Sequence, residues 1–117
     1  MARCVGEGGP GDMNLRVAFD VDGTLIDDQD NPRWEVIDLL RALHACGATI
    51  GIWSGGGADY ARHWKERLNL REFVSWQAAK DSALAPVLDL VVDDGLEFEM
   101  PGVKVLIVVP LEQGEQS

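Results

Sequence analysis

A chain of 117 residues with 46% hydrophobic content and a formal net charge of -10 can build one domain around a single core and is too apolar to remain unfolded. The acidic balance argues against broad binding to nucleic acid or an anionic membrane, yet it is compatible with a local anion site and with bound cations. No apolar run approaches membrane-spanning length, and the two cysteines, Cys4 and Cys46, read as reduced thiols of a cytoplasmic protein rather than a disulfide framework or zinc cluster.

Residues 1–13 form a glycine-rich leader, the folded domain is expected over 14–110, and residues 111–117 read as a loose tail. Leu15–Asp20 (LRVAFD) is expected as the first strand, followed by the polar, turn-rich stretch DGTLIDDQDNP. Asn31 and Pro32 then offer an N-cap and a first helical position. Val36, Leu39, Leu40 and Leu43 recur at helical spacing, which predicts a helix from Pro32 to Cys46 with Gly47 as its stop. Ala48–Ser54 (ATIGIWS) is a compact apolar run that delivers a hydroxyl and three glycines. A second helix is expected over Ala58–Leu68, with Tyr60, Ala61, Trp64 and Leu68 on one side. Phe73–Trp76 predicts a short third strand, Asp81–Ala85 a single helical turn broken by Pro86, Leu88–Val92 a fourth strand and Val103–Val109 a fifth.

Strands without strict alternation, interleaved with helices, predict an α/β fold: a Rossmann-like three-layer sandwich around a mostly parallel sheet of about five strands. The link from Asp94 to Val103 is shorter than the dozen or so residues of an ordinary parallel crossover, so an antiparallel pairing of the fifth strand at the sheet edge stays open. In open α/β sheets the site lies beyond the carboxyl ends of the strands. There the first strand delivers Asp20 and Asp22, the second Ser54, and the fourth Asp93 and Asp94, while Lys80 stands just ahead of the fourth. Clustered carboxylates raise one another's pKa unless a cation sits among them, and a hard divalent ion, Mg²⁺ foremost, would resolve the conflict. Metal, lysine, hydroxyl and glycine-loop amides together suit phosphoryl transfer, where positioning and charge neutralisation dominate.

Asp20-Val21-Asp22-Gly23-Thr24-Leu25 resembles the first motif of the haloacid dehalogenase superfamily of phosphohydrolases, Ser54 its second, Lys80 its third and Asp93-Asp94 its fourth. The resemblance runs from about Leu15 to Val109. It implies that Asp20 is the nucleophile that forms an aspartyl-phosphate, and that Asp22 is the general acid and base. It assigns Ser54, Gly55 and Lys80 to the phosphoryl oxygens. It gives Mg²⁺ to Asp20, the backbone carbonyl of Asp22, Asp93 and Asp94, the last directly or through water. An acid at Asp22 favours phosphate esters over the dehalogenase and phosphonatase branches. The short intervals after the first motif and before Lys80 leave no room for a cap domain. An open site follows, and with it two expectations: a small phosphorylated substrate such as a sugar phosphate or nucleotide, and a homo-oligomer in which a neighbour covers the site. The competing expectation is a catalytically degenerate binding or assembly module of the same fold.

Other residues carry blander readings. Asp27, Asp28 and Asp30 suit a solvated loop, and His44 and His63 a helix surface or core. Trp53 is expected to pack on a sheet face, and Trp34, Trp64 and Trp76 to serve the core or an interface.

Overall fold

The computed structural model describes residues 14–109, so the leader and the tail expected from the sequence lie outside the described residues. Five strands, β1 (Arg16–Asp20), β2 (Thr49–Ser54), β3 (Trp76–Ala79), β4 (Leu90–Asp93) and β5 (Lys104–Ile107), form one sheet. Its order is β3-β2-β1-β4-β5 and every neighbouring pair is parallel. Two α-helices, α1 (Trp34–Ala45) and α2 (Ala58–Arg67), and a 3₁₀ helix over Ser82–Val87 connect the strands. The fold class read from the sequence is therefore the observed one, with a sheet that is wholly parallel.

The layers differ in weight. Alternate residues of the central strands, Val17, Phe19, Ile50, Ile52 and Val92, meet Val36, Ile37 and Leu40 of α1 and Ala61 and Trp64 of α2 in one buried cluster. The opposite face, with Ala18, Trp53 and Val91, is covered by Leu84 and Ala85 of the 3₁₀ helix and by Leu96, Phe98 and Met100 of the β4–β5 link. Right-handed crossovers explain the split. The chain steps one way across the sheet through α1 and α2, then returns to β4 and β5 over the other face.

The β4–β5 link shows how a short connection can still be parallel. It carries no helix, and its apolar residues pack straight onto the sheet instead. The register runs from Leu90↔Lys104 to Asp93↔Ile107, which excludes the antiparallel alternative. The cost is a thin cover: all four residues of β5 are exposed, Ile107 by 50%.

Three local expectations are corrected. Helix α1 starts later than the Asn31–Pro32 signal, with Arg33 as N-cap and no side-chain cap. Pro32 is instead drawn into a bridge with Ile26, and the Asn31 carbonyl accepts the Asp27 amide at 2.9 Å. Strand β3 starts at Trp76 rather than Phe73, because the amides of Phe73 and Val74 turn back to the Leu70 carbonyl, at 2.9 and 3.1 Å. Trp53 is fully buried on a sheet face, as expected, and Trp34 is 55% exposed, which leaves the interface half of its expectation open. Among the described residues no cysteine is free, and Cys46 is disulfide-bonded, which overturns the reading of Cys46 as a reduced thiol. Cysteine number and spacing alone do not report which side chains the fold brings together. No helix of the described residues is long and apolar enough to cross a membrane.

Candidate active site

Four adjacent strands end at one edge, and each contributes there. Asp20 closes β1, Ser54 closes β2, Lys80 follows β3, and Asp93 closes β4 with Asp94 next. Lys80 is fixed by its backbone: its amide donates to the Ser54 carbonyl at 3.0 Å, which continues the β2–β3 pairing by one residue. Its ammonium then lies 3.0 Å from Asp20 Oδ1 and 2.9 Å from Asp93 Oδ2. Asp20 is 3% exposed and Asp93 fully buried. Thr24, also fully buried, donates its hydroxyl to Asp20 Oδ2 at 3.2 Å. The Gly95 amide donates to Asp93 Oδ1 at 3.0 Å. Asp93 Oδ2, fully buried, is ion-paired with Lys80 but receives no hydrogen bond of good geometry.

Asp94 stands over Gly23, whose φ is +80°. A Cβ on Gly23 would come 2.1 Å from Asp94 Oδ2. A side chain at position 23 would therefore both strain the backbone and expel Asp94. One carboxylate oxygen each from Asp20, Asp93 and Asp94 lie within 4.8 Å of one another. The donor set is all oxygen, it is buried at its base, and one lone-pair acceptor is unfilled. These features fit a hard divalent cation. The Asp22 carboxylate is not one of these three.

The electrostatics show the tension of this arrangement. Burial pushes the Asp20 carboxyl up to about 7, the Asp93 charge adds to the rise, and Lys80 opposes both. Asp94 is likewise raised, first by burial and then by Asp93. For Lys80, burial acts to lower the pKa, but Asp93 and Asp20 outweigh it and the net change is upward. One lysine cannot neutralise three carboxylates, so a cation among them would favour the ionised forms.

Ser54 is 1% exposed. Its Oγ accepts the Gly56 amide at 3.0 Å, so the hydroxyl still has its own proton to give. Above these groups opens a cavity of about 570 Å³ lined by Asp20, Asp22, Gly55, Lys80 and Asp94, with Glu97 and Phe98 on the side of the β4–β5 link. A groove of about 610 Å³ between the Asp30–Pro32 turn and α2 has no comparable convergence of acids and lysine. No domain is inserted after β1 or after β3 among the described residues, so the cavity stays open.

All the residues expected from the sequence reach this edge. Thr24, Tyr60, Glu97 and Phe98 were not singled out for it. Thr24 carried a usable signal, being inside the first motif, whereas Tyr60 was hidden among the apolar positions of α2. Tyr60 donates its hydroxyl to Asp22 Oδ1 at 2.7 Å. Glu97 and Phe98 lie in a link whose path the sequence left open. No family model, curated protein or solved structure matches the chain.

Proposed function

We propose that this protein is a capless phosphohydrolase of the haloacid dehalogenase type, dependent on Mg²⁺, that cleaves a phosphomonoester through an aspartyl-phosphate. One observation carries the reading: Lys80 joins Asp20 and Asp93 at 3.0 and 2.9 Å with Asp94 completing a carboxylate trio, all at the carboxyl edge of a parallel sheet.

In the proposed reaction Lys80 and the Ser54 hydroxyl bind the phosphoryl oxygens and Gly55 contributes its amide. Asp20 attacks phosphorus through one carboxylate oxygen, and the bond from phosphorus to the leaving oxygen breaks. Asp22 gives its proton to that oxygen. In the second half Asp22 takes a proton from water, whose oxygen attacks phosphorus and releases Asp20 and phosphate. Thr24, bonded to Asp20 Oδ2 at 3.2 Å, orients the nucleophile. Asp20, Asp93, Asp94 and the Asp22 carbonyl would hold Mg²⁺, which when bound neutralises charge that Lys80 alone cannot. The open cavity suits a small sugar phosphate or nucleotide, with a second copy of the chain as its cover. The cytoplasmic expectation leaned on reduced thiols, and the bonded Cys46 withdraws that support.

The helix-free link and bare β5 favour a second reading, a binding or assembly module. Phosphate release from p-nitrophenyl phosphate, sugar phosphates and nucleotides, with Mg²⁺ and with EDTA, separates the two. Metal-dependent release supports the phosphohydrolase. Mg²⁺ binding without release across the panel would support the module.

A further inference from the structure

The Asp22 carboxylate is exposed and stands outside the Asp20–Asp93–Asp94 trio, yet one of its oxygens is held. The Tyr60 hydroxyl donates to Oδ1 at 2.7 Å, a well-formed O–H···O hydrogen bond. Tyr60 belongs to the first turns of α2 and is half-buried. Its ring lies against the loop that follows β2: a Cβ on Gly56 would meet Tyr60 Cδ2 at 3.2 Å and Ser54 Oγ at 3.5 Å. The same tyrosine thus touches the loop assigned to phosphate and the acid assigned to the leaving group. It does not line the cavity itself.

Resting on the phosphohydrolase reading, we infer that Tyr60 is a positioning residue that aims Asp22 at the leaving group. A donor at Oδ1 fixes the carboxyl plane and reserves Oδ2 for the transferred proton. In the first half-reaction Oδ2–H gives its proton to the departing oxygen as the phosphorus–oxygen bond breaks. In the second, Oδ2 takes a proton from the attacking water. Oδ1 keeps the Tyr60 bond throughout, so Asp22 serves both halves without turning. An exposed carboxylate with no such partner would spread over several rotamers, and proton transfer falls off when the donor leaves hydrogen-bond reach. The packing of the ring against Gly56 ties that aim to the loop that grips the phosphate.

The test uses the dependence of rate on leaving group. A poor leaving group, an alkyl alcohol, needs the proton from Asp22; p-nitrophenolate departs with far less help. We expect Tyr60→Phe to lose about ten- to a hundredfold in kcat/KM on an alkyl phosphate, and about tenfold less than that on p-nitrophenyl phosphate. Asp22→Asn should show the same trend more steeply. Equal losses on both esters, or no loss on either, would overturn the role of Tyr60. If the phenylalanine variant does not fold, fluorinated tyrosine replaces it, since Tyr60 is the only tyrosine in the chain. Donor strength then changes with the ring retained, and a rate change confined mainly to the alkyl ester is expected; no difference between esters would overturn the role. An unsubstituted protein that hydrolyses neither ester would overturn the phosphohydrolase reading, and this inference with it.

Discussion

Two groups of three aspartates sit close in this chain and behave in opposite ways. Asp20, Asp93 and Asp94 gather at the sheet edge around Lys80. Asp27, Asp28 and Asp30 fall in the turn before α1, where Asp27 Oδ1 accepts the amides of Gln29 at 2.8 Å and Asn31 at 2.9 Å. Backbone hydrogen bonds from Asn31 and Gln29 hold the Asp27 carboxyl below its usual range, while burial drives Asp20 up to about 7. Asp30, with φ of +64°, and Asp28 are exposed. The composition is the same, so position decides: acids at the ends of buried strands confront desolvation and one another, whereas acids in a turn find amides and water. Only the first group brings three carboxylates close enough to hold a cation.

The largest effect that sharpens this contrast is on turnover. Asp20→Asn should lower kcat by about a thousandfold or more, measured as phosphate release in Mg²⁺ with mass spectrometry excluding reversion to aspartate. Asp28→Asn should stay within about twofold; a comparable loss there would break the distinction between the groups. Next comes stability. Lys80→Met leaves Asp20 and Asp93 without their cation and should cost about 3 kcal/mol in urea unfolding with EDTA, part of it recovered in Mg²⁺. An unchanged midpoint would mean that the trio does not depend on the lysine.

The third effect is a difference in sign with pH. Asp20 has its folded pKa raised, so its contribution is fully present below its unfolded value near 4 and is lost as pH rises through about 7. Metal-free protein should therefore lose stability over that window, and Asp20→Asn should flatten the slope. Asp27 has its folded pKa lowered, so its contribution is present above its unfolded value and lost on acidification. Asp27→Asn should remove stability at neutral pH and none in strong acid. Parallel slopes in the two variants' difference curves would contradict the electrostatic contrast. The smallest effect belongs to Asp89, paired with Arg16 at 2.9 Å on the surface. Hydrogen bonds from Arg16 depress its carboxyl to about 2, so Asp89→Asn should matter slightly above pH 4 and not at all below pH 2. A large loss would show that pairing, rather than burial, sets the energetics of acids in this protein.

The group at the sheet edge was legible from the sequence because a parallel sheet leaves one edge for its site, and the acids stand at the ends of apolar runs. Asp20 at the end of VAFD and Asp93 at the end of LVVD needed only strand direction to be brought together. Lys80 was legible by order but not by mechanism, since its placement depends on the Ser54 carbonyl continuing the β2–β3 pairing. The start of α1 was misread because the Asn31–Pro32 capping signal competes with tertiary bridging to Ile26. Phe73 and Val74 looked like strand residues, but the turn closing on Leu70 claimed their amides. The direction of β5 was hidden because loop length does not report that Leu96, Phe98 and Met100 can pack directly on the sheet. Tyr60 was counted on the apolar side of α2, and helical periodicity gives no view of where a phenol's hydroxyl ends.

The most direct test of the central claim is to trap the covalent intermediate. Protein quenched in acid during turnover of p-nitrophenyl phosphate in Mg²⁺ is reduced with borohydride and mapped by peptide mass spectrometry. Reduction at position 20 alone, absent without substrate and absent in Asp20→Asn, is the result predicted here. Turnover with no reduced residue, or with reduction at Asp22, Asp93 or Asp94 instead, would contradict Asp20 as the nucleophile.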